Sequence, residues 1–379
     1  MAKTFECRDY QQRILDRARE NWNRGATSQL VESPPGSGKT VMGFSICKEL
    51  VESISDLTKG KYKPEDVGIG WVAMRRNLLS QAEIENNQLI GCPNVHYVSQ
   101  FDKDPAENLK DYPLRVLVFD EAHHEATGSA HNVLNTVDPE YVIGLSATPQ
   151  RADNMKLCFQ ANLKDAGFYT LIEKGYLSEF DHWMIEEWTP KEVASAYLED
   201  PDRWGKSIMF FRTIEECEEC EAILKKKGVR CDIVTGKTDR FSQLDAFESG
   251  EVDVLINMFV LTEGFDCPEL ETVWVRDSRR LPVIQMAGRV LRMHPDGKTA
   301  NIVQSVKTKF PFTREANIAN NQYVKQHGQW KTIGVSDAVI QKAQQMFALM
   351  AQTDIDNETL KALSKGRKRQ RNHLLRDDD

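Results

Sequence analysis

Two tandem α/β domains, each a parallel sheet flanked by helices, are what this sequence predicts, and three features predict it. Short apolar runs recur along most of the chain in two series. Stretches with helical periodicity lie between them, and the first run leads into a glycine-containing turn followed by a helical pattern. Runs this short and this uniformly apolar are too brief for helices and unlike a sheet with one wet face. They read as strands buried on both faces, the mark of a parallel sheet.

The elements follow in chain order. Ile14, Ala18 and Trp22 recur every fourth residue with Leu15 alongside, which predicts a helix between Tyr10 and Trp22. Strands are predicted at Gln29 to Val31, Val67 to Met74, Val95 to Val98, Val116 to Phe119 and Tyr141 to Leu145. A less regular region from Arg151 to about Asp202 separates these from a second series at Ser207 to Phe211, Arg230 to Val234, Val252 to Asn257, Thr272 to Val275 and Ala300 to Val303. Ile214, Cys217, Cys220, Ile223 and Leu224 share the apolar face of one helix, so the two cysteines read as buried thiols; Leu281 to Met293 predicts another helix. The junction falls near Tyr169 to Glu187, giving a first domain over 1–170, a second over 171–307, and a polar, partly helical extension over 308–379.

Composition narrows the class of protein. The 379 residues are 40% hydrophobic and 28% charged, a soluble globular profile with room for two or three domains. No apolar run approaches the roughly 18 residues a membrane span needs, and the first residues lack the apolar core of a signal peptide. A cytoplasmic protein with no membrane partner is expected, its eight cysteines reduced. The net charge of −8 argues against coating nucleic acid by bulk charge, yet six Lys or Arg gather between Lys365 and Arg376. That end is either a solvated terminus or a phosphate-binding arm.

Two stretches carry chemistry. In Ser33-Pro34-Pro35-Gly36-Ser37-Gly38-Lys39-Thr40 the glycines allow a tight turn that aims backbone N–H groups at one point, where the following helix adds positive field. Such a cradle binds phosphates: Lys39 would reach the β- and γ-phosphates and the Thr40 hydroxyl would ligate Mg²⁺. The second stretch, Val116-Leu117-Val118-Phe119-Asp120-Glu121-Ala122-His123, is an apolar strand ending in two carboxylates, where parallel sheets place ligands. It should meet the cradle across neighbouring strand ends. Asp120 would hold Mg²⁺, and Glu121 would orient and deprotonate the attacking water.

With these residues the sequence resembles superfamily 2 helicases and translocases, whose second motif is Asp-Glu-Ala-His. Ser146-Ala147-Thr148-Pro149 resembles their motif III, Leu261 to Pro268 motif V, and Gln285 to Arg292 motif VI. Arg75 to Gln81 and Leu171 to Leu177 bring it nearest the DEAD/DEAH group typified by motor subunits of restriction enzymes and related bacterial and phage helicases. The resemblance implies two RecA-like domains with ATP and Mg²⁺ between them. It further implies that Arg8 and Gln11 read the adenine, that Pro35, Gly36, Ser37, Gly38, Lys39 and Thr40 hold the phosphates, and that Gly264 and Asp266 reach the same cleft. Arg289 and Arg292, three apart on one helix face, would act as arginine fingers; His123, Ser146, Thr148 and Gln285 would couple nucleotide state to movement.

Nucleic acid, DNA in preference to RNA and without sequence specificity, is the implied track. Arg75, Ser99, Gln100 and Thr262 are candidate contacts by resemblance, and Lys365, Arg367, Lys368, Arg369 and Arg371 by charge. The expected activity is an ATP-driven helicase or translocase. Translocation on duplex DNA without unwinding, or service as the motor subunit of a restriction, defence or repair complex with a partner supplying specificity, are the alternatives.

Overall fold

The computed structural model describes residues 6–74, 76–124, 128–150, 155–236, 238–258, 261, 267–326 and 328–333. The chain divides into two compact units, Met1–Lys331 and Thr332–Asp379. Both sheets lie in the first, with only the last residue of their final strand beyond it.

The first sheet comprises β1 (Ser28–Glu32), β2 (Gly68–Ala73), β3 (Val95–Ser99), β4 (Leu114–Asp120), β5 (Tyr141–Ser146) and β6 (Ala161–Lys164), in the order β3-β2-β4-β5-β1-β6 with every pair parallel. Why its runs are unbroken is visible in β4. Val116 and Val118 enter one buried cluster while Leu117 and Phe119 enter another on the opposite face. With both faces covered, the period of two leaves no polar positions.

The second sheet comprises β7 (Phe180–Ile185), β8 (Ser207–Phe210), β9 (Cys231–Val234), β10 (Val254–Asn257), β11 (Thr272–Trp274), β12 (Ala300–Ser305), β13 (Gln322–Gln326) and β14 (Gln329–Thr332). Their order is β14-β13-β7-β12-β11-β8-β10-β9. Ile208 and Phe210 of β8 face the cluster that also holds Val31, Phe44, Leu171, Leu177 and Leu291, so one apolar core runs from the first sheet into the second. On the far face, Trp183 stacks on Tyr323 with centroids 3.8 Å apart, and Trp204 and Trp330 meet its ring edge-on.

Four expectations are corrected here. The less regular region contains β6 and β7: β6 is an edge strand with only Leu163 buried, and β7 lies inside its sheet although Asp181 and His182 interrupt its apolar run. His182 is buried with Nε2 3.0 Å from Gln304 Oε1, and burial pushes its pKa down to about 4, so the imidazole is neutral. Among the described residues, the polar stretch after Thr308 holds the short helix Phe312–Ala316 and, beyond the helical character expected there, adds β13 and β14 to the second sheet; Lys325 on β13 is buried because Glu199 and Glu192 lie 2.7 and 3.3 Å from its Nζ. The strands bearing cradle and carboxylates are not neighbours, since β5 lies between β1 and β4. Finally, the helix predicted to Met293 is Arg280–Gly288, so Arg289 and Arg292 do not share a helix face.

Candidate nucleotide site between the two sheets

β1 ends at Glu32, and the segment after it turns back into the helix Lys39–Leu57. Gly36 and Gly38 sit at φ +77° and +79°, the left-handed region that side chains resist. Space forbids a side chain as well: a Cβ at Gly38 would lie 2.8 Å from Gln11 Nε2, and one at Gly36 3.0 Å from Leu177 Cδ2. Ser37 is fully buried and its hydroxyl donates to Pro34 O at 2.6 Å, closing the turn from within.

A cleft of about 460 Å³ opens above this turn. Pro35, Gly36, Gly38, Lys39 and Thr40 line it with Asp120 and Glu121 from the end of β4, Arg8 and Gln11 from the first helix, and Arg289 and Arg292 from the second sheet. Sequence positions nearly 300 apart thus face one space. Arg75, Thr262, Gly264, Asp266, Lys365, Arg367, Lys368, Arg369 and Arg371 lie outside the described residues.

The electrostatics are those of a site shaped for a polyanion and a cation. Burial lowers the Lys39 ammonium from its ordinary pKa, as do Arg289 and Arg292, while Glu121 and Asp120 act against it. Burial first, and then the neighbouring Glu121, raise the Asp120 carboxyl to about 7. Two carboxylates side by side want a counter-charge. Glu121 Oε2 is buried and lies 3.3 Å from His123 Nδ1, and the residue sits at φ +53°. A buried carboxylate on a strained backbone, beside a raised aspartate and above a glycine cradle, fits a phosphate chain with Mg²⁺ and an ordered water. Thr40 and Asp120 line this part of the cleft and could hold such an ion.

Beside the carboxylates a polar chain crosses from sheet to sheet. Gln285 Nε2 lies 3.2 Å from His123 Nε2; His123 Nδ1 is 3.3 Å from Glu121 Oε2 and 3.5 Å from Ser146 Oγ. If the Gln285 amide donates, Nε2 accepts, and a neutral imidazole carries its proton on Nδ1, toward Glu121 and Ser146. Ser146 Oγ also accepts from Thr148 N at 3.3 Å. All four coupling candidates are buried.

At the other end Gln11 accepts from Arg8 N at 2.9 Å and donates to Ser37 O at 3.1 Å, and the Tyr10 hydroxyl donates to the same carbonyl. The amide is braced against the cradle, leaving one N–H and one lone pair for a base edge. The Arg8 guanidinium lies 4.9 Å from the centroid of the Tyr176 ring. Ser99 and Gln100 at the end of β3 are buried, and the Ser99 hydroxyl donates to Met74 O at 2.8 Å. The Ser99 hydroxyl also accepts from Phe101 N at 3.2 Å, so its side chain holds a turn instead of facing solvent.

Sequence reasoning missed Gly288, Tyr176, Leu177 and Ser178. A Cβ on Gly288 would lie 2.7 Å from Pro35 Cβ, so the two sheets' segments meet there at backbone distance. Its signal was a glycine next to Arg289; for the other three it was Lys174-Gly175 closing an apolar helix.

The family described as "Type III restriction enzyme, res subunit" matches residues 4–100 and 94–151, and the "Helicase conserved C-terminal domain" matches 190–294. The chain belongs to the superfamily 2 helicases. Putative helicase 22 of Sulfolobus islandicus filamentous virus is 22% identical, covering 85% of this chain and 68% of the relative. Putative ATP-dependent helicase IRC3 of Saccharomyces cerevisiae is 25% identical, covering 79% and 51%. The chain thus spans about half to two thirds of these relatives. Among solved structures, an ATP-dependent Type ISP restriction-modification enzyme, LlaBIII, bound to DNA superposes with a TM-score of 0.53 at 18% identity, over 81% of this chain and 28% of that one. S. cerevisiae Dbp5 bound to RNA and ADP BeF3 gives 0.51 at 17%, over 79% and 84%. At these identities the superpositions show the fold, two RecA-like domains. Among the described residues no helix is long and apolar enough to cross a membrane.

Proposed function

We propose that this superfamily 2 motor hydrolyses ATP in the cleft between its sheets and uses the cycle to move along nucleic acid, DNA in preference to RNA. The observation that carries the reading is the crossing itself: Gln285 and His123 are in hydrogen-bonding contact beside Glu121, and Arg289 and Arg292 line the same cleft as the cradle. A site completed by both sheets changes when they separate, which is what a motor needs.

Lys39 and the N–H groups of the cradle hold the β- and γ-phosphates. Thr40 and Asp120 would hold Mg²⁺, which when bound would supply positive charge against the phosphates. Glu121 orients water and takes its proton, and the His123 Nδ1–H fixes that carboxylate. Arg289 and Arg292 neutralise charge on the γ-phosphate from the second sheet; its loss removes their shared ligand and lets the sheets part. Residues 1–170 and the second sheet with its flanking helices, from 171 through β14, are the two moving parts in this scheme. The match to a res subunit favours DNA, and favours service within a restriction or defence complex whose partner supplies specificity.

The test is ATP turnover across single-stranded, duplex and forked DNA and RNA. Lys39→Ala should weaken ATP capture, and Glu121→Gln should bind ATP yet turn over at least ~100-fold more slowly. Arg289→Ala should lower turnover by roughly 10³ with ATP affinity kept within several-fold. Undiminished turnover in all three variants would discard the site; stimulation by RNA alone would discard DNA as the track.

A further inference from the structure

The chain passes from the first sheet to the second through a strap whose path is fixed. The helix Phe168–Glu173 ends at Gly175, φ +67°, with Tyr176 N–H donating to Leu171 O at 2.8 Å and Gly175 N–H to Ile172 O at 2.9 Å. This pair of bonds, closing back over a left-handed glycine, is a Schellman stop, and it aims the next three residues. Each meets a different part of the nucleotide site. Tyr176 lies against Arg8 and Tyr10, Leu177 against Gly36, and Ser178 against the segment that carries Arg292.

That last segment is weakly held by its own helix. Beyond Gly288 the bonds Arg289 N–H to Met286 O, Val290 N–H to Ala287 O and Leu291 N–H to Gly288 O are 3.3, 3.4 and 3.4 Å long. By contrast Ser178 N–H donates to Leu291 O at 2.8 Å, and Ser178 Oγ donates to Arg292 O at 2.8 Å. Ser178 is buried, so water does not compete for these bonds.

We propose that Ser178 is a positioning residue for Arg292: its hydroxyl and amide fix the backbone of the arginine segment to the strap, while the neighbouring Leu177 rests on the phosphate cradle at Gly36. The inference rests on the reading of Arg292 as a finger that meets the γ-phosphate. Ser178 itself touches no substrate. It sets where the guanidinium begins its reach, and a small displacement there is costly in turnover without altering the cradle that captures ATP.

The experiment compares Ser178→Ala, Ser178→Thr, Arg292→Ala and the double variant Ser178→Ala with Arg292→Ala, in the full chain, by ATP turnover and fluorescent-nucleotide binding. Loss of one buried hydrogen bond at the finger should lower kcat about tenfold in Ser178→Ala with KM for ATP within about twofold. Ser178→Thr, which keeps the oxygen, should lie nearer the parent, and the double variant should be no slower than Arg292→Ala alone. Parental kcat in Ser178→Ala, equal losses in the Ala and Thr variants, or the same further loss when Arg292 is already absent would each overturn the proposal. Undiminished turnover in Arg292→Ala would instead remove the finger reading on which it stands.

Discussion

Asp120 and Glu121 show how much of the site is set by single residues held against their preference. Asp120 is raised from 3.8 to about 7, mainly by burial and then by Glu121, so the folded chain binds its proton more tightly than the unfolded chain. Stability therefore falls as pH rises through that window, and the penalty is full above it. Asp120→Asn keeps the shape and the oxygen that accepts from Glu121 N–H at 3.0 Å, and carries no charge. Without Mg²⁺ or nucleotide, the variant should melt above the parent, by more at pH 8 than at pH 5, while its turnover is lost. A gain that shrinks as pH rises would mean that the carboxyl is not held up by its surroundings. On the proposed reading this is the usual conflict of an active site: an arrangement that would receive a cation is unfavourable without one.

At the scale of elements, the site depends on how closely the segment after the helix Arg280–Gly288 approaches the turn after β1. Gly288 is the contact point, its missing side chain taken up by the rigid Pro35 ring at 2.7 and 2.8 Å. Gly288→Ala must therefore push the two sheets' segments apart and carry Arg289 with it. Hydrolysis should fall between about 10- and 100-fold, because misplacing a reacting group by a fraction of an ångström to an ångström has that effect. Gly167→Ala is the control, since a methyl there meets nothing within 4 Å and its φ is −91°. Equal turnover in the two variants would show that the approach at Gly288 is not needed for chemistry.

For the whole molecule, the second sheet does not stop where its apolar runs stop. β13 pairs with β7 in parallel, Tyr323 stacks on Trp183, and Lys325 is buried between Glu192 and Glu199. Truncation after Lys307 should leave those two carboxylates and the Trp183 face without partners and destabilise the fold, read as loss of a cooperative melting transition. Truncation after Ser364 should leave melting unchanged. Each phosphate contact contributes about −0.7 to −0.9 to the slope of log K against log salt, so losing three or four basic contacts should flatten nucleic-acid binding by roughly 2 to 3 with maximal ATPase retained. An unaltered slope would leave the basic run a solvated end.

The sequence by itself determined the class of fold and pointed to residues that line the cleft. Apolar runs such as Val116 to Phe119 point to strands buried on both faces, and Gly36, Gly38, Lys39, Asp120 and Glu121 stand out through residue type and spacing, because a glycine turn after a strand and carboxylates at a strand end are local structures. What depended on distant partners was decided only by the tertiary structure. β7 is a central strand because β12 and β13 flank it, which no local pattern around Asp181 and His182 reveals. Arg289 and Arg292 meet the cleft through a non-helical segment tied to Ser178, where sequence periodicity predicted a continuous helix. Gly288 and Ser178 act through what they touch, Pro35 and the Arg292 carbonyl, and those neighbours are brought to them only by folding: periodicity reports the face a residue shows, while the partner on that face is fixed by how the sheets pack.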